Sequence, residues 1–247
     1  MAALPTTDST AVSRFVLIPG AGGEAWYWHR VVPLLEARGH QAVAVDLPGP
    51  DPAAGLPEYI ELVLAALGDG RDHVIVAQSL GAFTAPAVCA RAPARLLVLV
   101  NAMIPIPRET PGAWFVTTGA EDARVSRAQA EGYSVDFTVE EYFLHDVPPE
   151  VLAEGGPRGR PEADIVFGQP CPIDRWPDVP TRILVGADDR FFPADLQRQV
   201  ARTRLGREVE VIPGGHLVAL SHPVELTDHL VGLLDSVSRQ DGGGTAG

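Results

Sequence analysis

The stretch His73-Val-Ile-Val-Ala-Gln-Ser79-Leu-Gly81-Ala-Phe83 decides how this chain is read. Its apolar, β-branched first half predicts a short buried strand. The strand breaks at one serine, and Gly81 lets the chain leave directly into a helix. Such a strand-to-helix elbow lifts the serine hydroxyl to an exposed apex and brings the following backbone N–H to the same side. A serine hydroxyl is a poor nucleophile at neutral pH, so it needs that apex, a neighbouring base and N–H donors for the oxyanion that follows attack. The usual pattern for the elbow is Gly-x-Ser-x-Gly. Here its first position is Ala77, still small enough for strand and helix to approach. Serine is also a preferred N-cap, and a helix beginning near Leu80 gives Ser79 that plainer reading. The rest of the chain decides between the two.

Upstream, Arg14-Phe-Val-Leu-Ile18 reads as a buried strand, Trp26 to Arg38 as a helix stopped by Gly39, and Gln41 to Leu47 as the next strand. Pro48-Gly-Pro-Asp-Pro52 forces a loop, and a helical stretch from Pro57 to Leu67 leads into the elbow strand. The elbow helix is expected to run to about Arg91, and Arg95-Leu-Leu-Val-Leu-Val100 is another continuous apolar strand. This β/α alternation, with strands apolar on both faces, predicts an α/β fold: a mostly parallel sheet flanked by helices. From Ile104 to Trp176 the alternation stops. The segment is rich in Pro, Gly, charge and aromatics, so residues 104–176 are expected to form an inserted cap between the two parts of the core, 14–103 and 177–237. The alternation resumes with Thr181-Arg-Ile-Leu-Val185, a helix from Pro193 to Leu205, the strand Glu208-Val-Glu-Val-Ile212 and a last helix from His222 to Val237. Residues 1–13 are expected to be a flexible leader and 238–247, with three consecutive glycines, a disordered tail.

The 247 residues carry a formal charge of −13 with no Lys/Arg cluster, which argues against nucleic acid or an anionic membrane as partner. A small, uncharged substrate fits better. Cys89 and Cys171 stand far apart and form no metal-like or redox-like pair, and the leader Met1-Ala-Ala-Leu-Pro-Thr-Thr-Asp8 lacks the basic start and apolar run of a signal peptide. A reduced, cytoplasmic setting is the expectation.

If Ser79 is a nucleophile, it needs an imidazole within hydrogen-bond reach and a carboxylate to hold that imidazole's tautomer. Of the seven histidines, His216 in Ile212-Pro-Gly-Gly-His216 sits immediately after the last strand, in a glycine-bearing loop. The others fall in helices, turns, a strand start or the cap. The acid belongs on the loop after the preceding strand, where Gly186-Ala-Asp188-Asp189-Arg190-Phe-Phe-Pro193 offers two carboxylates. Neighbouring loop residues point apart, so one faces His216; Asp189 is preferred, with Asp188 as the alternative or as a turn or N-cap residue. The loop Pro19-Gly20-Ala21-Gly22-Gly23 can turn N–H groups inward, which makes Ala21 N–H the partner of Leu80 N–H in an oxyanion hole. A dinucleotide site is disfavoured, because this loop is not Gly-x-Gly-x-x-Gly. The expected substrate-binding residues are Gly20 and the aromatics Trp114, Phe115 and Phe167. Those aromatics also have the simpler reading of a small core of the cap's own.

From Arg14 to Val237 the chain resembles the α/β-hydrolase superfamily. Within it the chain is similar to the plant methyl-esterase and hydroxynitrile-lyase branch and its bacterial relatives. The resemblance rests on Phe15-Val-Leu-Ile-Pro-Gly-Ala21, Trp26-Tyr-Trp28, Val32-Pro-Leu-Leu-Glu36-Ala-Arg-Gly39-His40, Val45-Asp-Leu47, Gln78-Ser-Leu-Gly81, Val100-Asn-Ala-Met-Ile-Pro105, Gly215-His216 and Ser221-His-Pro223. Family members commonly carry His-Gly at the oxyanion loop and Gly-His before the nucleophile, where this chain has Pro19-Gly20 and Ala77-Gln78. The threonine and lysine that the lyases use are replaced by Gly20 and Leu217, which disfavours cyanohydrin cleavage. The resemblance implies a serine hydrolase that cleaves a small carboxylic ester through an acyl-enzyme, with no metal or organic cofactor. The alternatives are a lyase, cyclase or cofactor-free oxygenase on the same fold, or a ligand-binding receptor. The expected partner is a small-molecule ester, and a homodimer is left open.

Overall fold

Strand β1 (Arg14–Ile18) carries the unbroken run Phe15-Val-Leu-Ile18, every residue of which is buried, so it can only lie inside a sheet covered on both faces. A computed structural model, which describes residues 12–154 and 159–242, shows how the rest of the chain builds around it. A single 3-10 turn (Ala25–Trp28) and α1 (Val31–Ala37) lead to β2 (Gln41–Ala44), and α2 (Leu56–Leu67) leads to β3 (His73–Gln78). Another 3-10 turn (Ser79–Phe83) and α3 (Ala85–Arg91) precede β4 (Leu96–Val100).

The chain then makes α4 (Pro111–Thr118), α5 (Ala120–Glu131), α6 (Val139–Tyr142), α7 (Pro149–Ala153) and α8 (Asp164–Gly168) before the sheet resumes. The remaining elements are β5 (Thr181–Gly186), α9 (Ala194–Leu205), β6 (Glu210–Ile212), α10 (Val218–Ser221) and α11 (Pro223–Gly242). The six strands run in the order β2-β1-β3-β4-β5-β6, and every neighbouring pair is parallel.

Alternation along the strands divides the core into two layers. Val16, Ile18, Ile75, Ala77, Leu97, Leu99, Ile183 and Val185 face α2, α3 and α9, while Phe15, Leu17, Val74, Val76, Leu96, Val98 and Leu184 face α1 and α11. The helical segment between β4 and β5 joins both layers. Trp114, Val166 and Cys171 pack into the first, and Val147 and Val151 into the second.

Several boundaries differ from the sequence expectation, for identifiable reasons. The helix expected from Trp26 to Arg38 is broken at His29-Arg30, because Pro33 would meet the carbonyl of residue 29 in a continuous helix; restarting at Val31 puts the proline in a first turn. Pro86 does the same after the elbow, so the expected single helix to Arg91 becomes a 3-10 turn followed by α3. The last helix continues through Gly242 rather than stopping at Val237. Ser238 helps, since its hydroxyl donates to the Leu234 carbonyl and accepts from Arg95. Residues 1–11 of the expected leader and 243–247 of the expected tail lie outside the described residues. Among the described residues no helix is long and apolar enough to cross a membrane.

Candidate active site

The parallel sheet sends the carboxyl ends of β1, β3, β5 and β6 to one edge, and each is followed by a loop that contributes to a single site. Ser79 follows β3 directly. It has φ +49°, a left-handed conformation that a non-glycine residue holds only where the surroundings over-determine it. Two glycines make the bend sterically feasible. A Cβ on Gly81 would stand 2.6 Å from the Pro19 carbonyl oxygen, and one on Gly20 would stand 2.3 Å from Gln78 Oε1 and 2.9 Å from Ser79 Cβ. The β1 loop therefore lies directly on the elbow.

His216 Nε2 is 3.1 Å from Ser79 Oγ, and His216 Nδ1 is 2.9 Å from Asp189 Oδ2. The three residues are buried, with exposures of 7% for Ser79, 2% for His216 and 3% for Asp189. An ionised carboxylate can only accept, so Nδ1 carries the proton and Nε2 is left to accept from the serine hydroxyl. Asp189 itself is held from four sides: its Oδ1 accepts from the backbone N–H groups of Phe191 and Phe192 at 2.9 Å each, and its Oδ2 also accepts from Gln197 Nε2 at 3.2 Å. Asp188 takes the other side of the turn. Its side chain is exposed, and its N–H donates to the Gly214 carbonyl.

Leu80 follows Ser79 in the elbow, and Ala21 follows Gly20 in the β1 loop that lies on it. Among the described residues neither backbone N–H donates to a protein acceptor.

The apolar surroundings differ from the expected set. Phe143 stacks on the His216 ring at 4.9 Å between centroids, and Phe191 and Phe192 meet it edge-on at 5.3 and 5.2 Å. Trp114, by contrast, is fully buried in the core, with its indole N–H donated to the Ile104 carbonyl and its ring against Phe192. Phe115 stands beside Phe191 and Phe192 but not against the histidine. Phe167 lies on α8, where its carbonyl oxygen is 3.0 Å from a Cβ built on Gly112, and it is in no ring contact with the three residues. The edge-on rings Phe191 and Phe192 closely follow the acid turn. Their place in the sequence was the available signal.

Asn101, absent from the sequence expectations for the site, is fully buried at the end of β4 with φ +45°. Its Nδ2 donates to the carbonyls of Gly215 and His216, and its Oδ1 accepts from Gly186 N. It thereby ties the end of β5 to the histidine loop. Gln78 adds a donor to the same His216 carbonyl. A lone asparagine ending an all-apolar strand was the sequence signal for it.

The family model described as "Alpha/beta hydrolase family" matches residues 15–229. The pyrethroid hydrolase of Sphingobium wenxiniae is 26% identical, over 91% of this chain and 89% of that protein. Norfluorocurarine synthase 1 of a Strychnos species is 24% identical, over 91% of this chain and 96% of that protein. The crystal structure of a methylesterase from Arabidopsis superposes with a TM-score of 0.72 at 18% identity, covering 91% of this chain and all of the other.

Proposed function

The chain belongs to the alpha/beta hydrolase family, and on that premise we propose that it hydrolyses small carboxylic esters, with Ser79 as nucleophile, His216 as general base and acid, and Asp189 as the orienting carboxylate. The observation that carries this reading is the continuous hydrogen-bonded chain from Ser79 Oγ through the two ring nitrogens of His216 to Asp189. Ser79 Oγ attacks the acyl carbon while its proton passes to His216 Nε2, and the Asp189 carboxylate stabilises the imidazolium that results. The N–H groups of Ala21 and Leu80 receive the oxyanion. His216 then returns the proton to the departing alkoxide, the alcohol leaves, and the acyl group remains on Ser79. Water repeats the sequence against the acyl-enzyme, releases the acid and restores the hydroxyl. Ester, water and protein groups account for every proton and electron pair.

Phe143, Phe191 and Phe192 around His216 support an apolar or aromatic group on the substrate, in keeping with a relative named for hydrolysing pyrethroids. In this reading the segment 104–176 is the cap over the site, since Phe143 comes from it. A cytoplasmic location belongs to the same reading, supported by two cysteines that are both unpaired.

A second reading, non-hydrolytic chemistry by the same residues, is favoured by the relative named a synthase. Turnover of a panel of aryl, methyl and benzyl esters by the protein and by Ser79→Ala separates the two. Hydrolysis by the parent that the variant lacks is the expected outcome; no hydrolysis of any ester by a folded parent contradicts the proposal.

A further inference from the structure

Two carboxylates of the segment between β4 and β5 each accept a backbone N–H from a loop of the site. Asp146 Oδ2 accepts from Gly215 N at 2.6 Å, and Gly215 is the residue before His216. Glu162 Oε2 accepts from Gly22 N at 2.7 Å, and Gly22 is the residue after Ala21. We infer that Asp146 and Glu162 are positioning residues that fix, respectively, the loop of the general base and the loop of the oxyanion donor, an inference that rests on the roles proposed above for His216 and Ala21.

Both contacts are built at close range. A Cβ on Gly215 would stand 2.7 Å from Asp146 Oδ1 and 2.8 Å from His145 Cε1, and a Cβ on Gly22 would stand 2.5 Å from the Arg160 carbonyl oxygen. Gly22 also has φ +85°, so the position is closed to side chains twice over. Around Glu162, Tyr59 donates its hydroxyl to Oε1, Arg160 donates to the Leu47 carbonyl and pairs with Asp46, and Ala163 N donates to the Gly49 carbonyl. The oxyanion loop is thus pinned to the segment and, through it, to the end of β2.

Docking the segment does not explain the choice of groups. Among the described residues neither carboxylate has an arginine within ion-pair distance, Arg160 acting on Glu162 only from beyond it, and Asp146 has the ring nitrogen His222 Nδ1 at 3.9 Å. Half-buried carboxylates without a direct ion pair are costly, and apolar contacts such as Val147 and Val151 already hold the segment on the core. His145 packs against the same glycine, and burial pushes its imidazole pKa down, which disfavours a compensating charge there. What the carboxylates add is a strong, directional acceptor at one peptide on each loop. A displacement of about 1 Å at a catalytic group costs on the order of 100-fold in rate, so fixing those two peptides matters to chemistry more than to folding.

The test compares Asp146→Ala and Glu162→Ala with Asp146→Asn and Glu162→Gln, which keep an acceptor oxygen. Amide hydrogen exchange is read by NMR at Gly215 and Gly22, alongside kcat and KM for an aryl ester. The expected result is faster exchange by about 10-fold or more at Gly215 in Asp146→Ala and at Gly22 in Glu162→Ala, each at its own loop only. A fall in kcat of about 10- to 100-fold at near-constant KM accompanies it, and both changes are largely reversed in the amide variants. Unchanged exchange at both glycines in folded alanine variants overturns the inference, as does changed exchange with parental kcat. If the parent hydrolyses no ester, the functional reading fails while the exchange data still decide whether the carboxylates fix the loops.

Discussion

Ser79 holds a left-handed backbone conformation because Gly20 and Gly81 let the β1 loop press against the elbow, and His216 can serve it because Asp189 leaves Nε2 free to accept. Asp189→Asn tests that division of labour. The amide is neutral and can donate to Nδ1, which turns the tautomer round and places the proton on Nε2, where it faces Ser79 Oγ. The expected loss in kcat is about 10⁴-fold at near-parental thermal stability, checked by steady-state kinetics beside a melting curve. These three residues stood out in the sequence because each follows the end of a strand and they fall in the order Ser, Asp, His. The choice between Asp188 and Asp189 depends on which side of one turn each faces, and only the fold supplies that. The ring wall was harder to read, since Phe143 and the pair Phe191-Phe192 come from separate segments and nothing local marks Phe143 as a neighbour of His216.

At the scale of elements, the strands' places were legible, although β2 stops at Ala44 rather than Leu47 and β6 starts at Glu210 rather than Glu208, and helix ends were not. A five-residue apolar run such as Leu96–Val100 is too short for a core helix and reads as a buried strand, whereas Pro33 and Pro86 each sit inside an amphipathic pattern that continues across the break they impose. The contact between the elbow and the β1 loop gives a direct prediction. Gly81→Ala puts a methyl 2.6 Å from a backbone carbonyl that cannot rotate away, so stability should fall by about 1–3 kcal/mol in chemical denaturation, together with ester turnover.

The contact between Glu162 and the β1 loop gives a second. Burial pushes the Glu162 carboxyl up, against the opposing effects of Tyr59, Gly22 N–H and Arg160. A carboxyl whose folded pKa exceeds its unfolded value binds more protons when folded, so its contribution to stability is greatest below the unfolded pKa and declines as pH rises through the folded one. Melting temperatures across the mildly acidic range should therefore fall more steeply with rising pH in the parent than in Glu162→Gln. Equal slopes would remove burial as the dominant influence on this group.

Across the whole molecule, six parallel strands direct four loops to one edge, and a helical segment packed into both core layers brings Phe143, Asp146 and Glu162 to the same edge. The sheet was readable from its β/α alternation. The path of residues 104–176 was not, because short helices with Pro, Gly and aromatics carry little periodicity and their placement is set by tertiary contacts such as Trp114 on Phe192. The account depends above all on Ser79 acting as a nucleophile activated by His216. Labelling with a fluorophosphonate, followed by peptide mapping, measures this directly in the parent, Ser79→Ala and His216→Ala. The account predicts a single adduct on Ser79 in the parent, none in Ser79→Ala, and labelling slowed by at least about 100-fold in His216→Ala. An adduct on another residue, or parental labelling in His216→Ala, would contradict it.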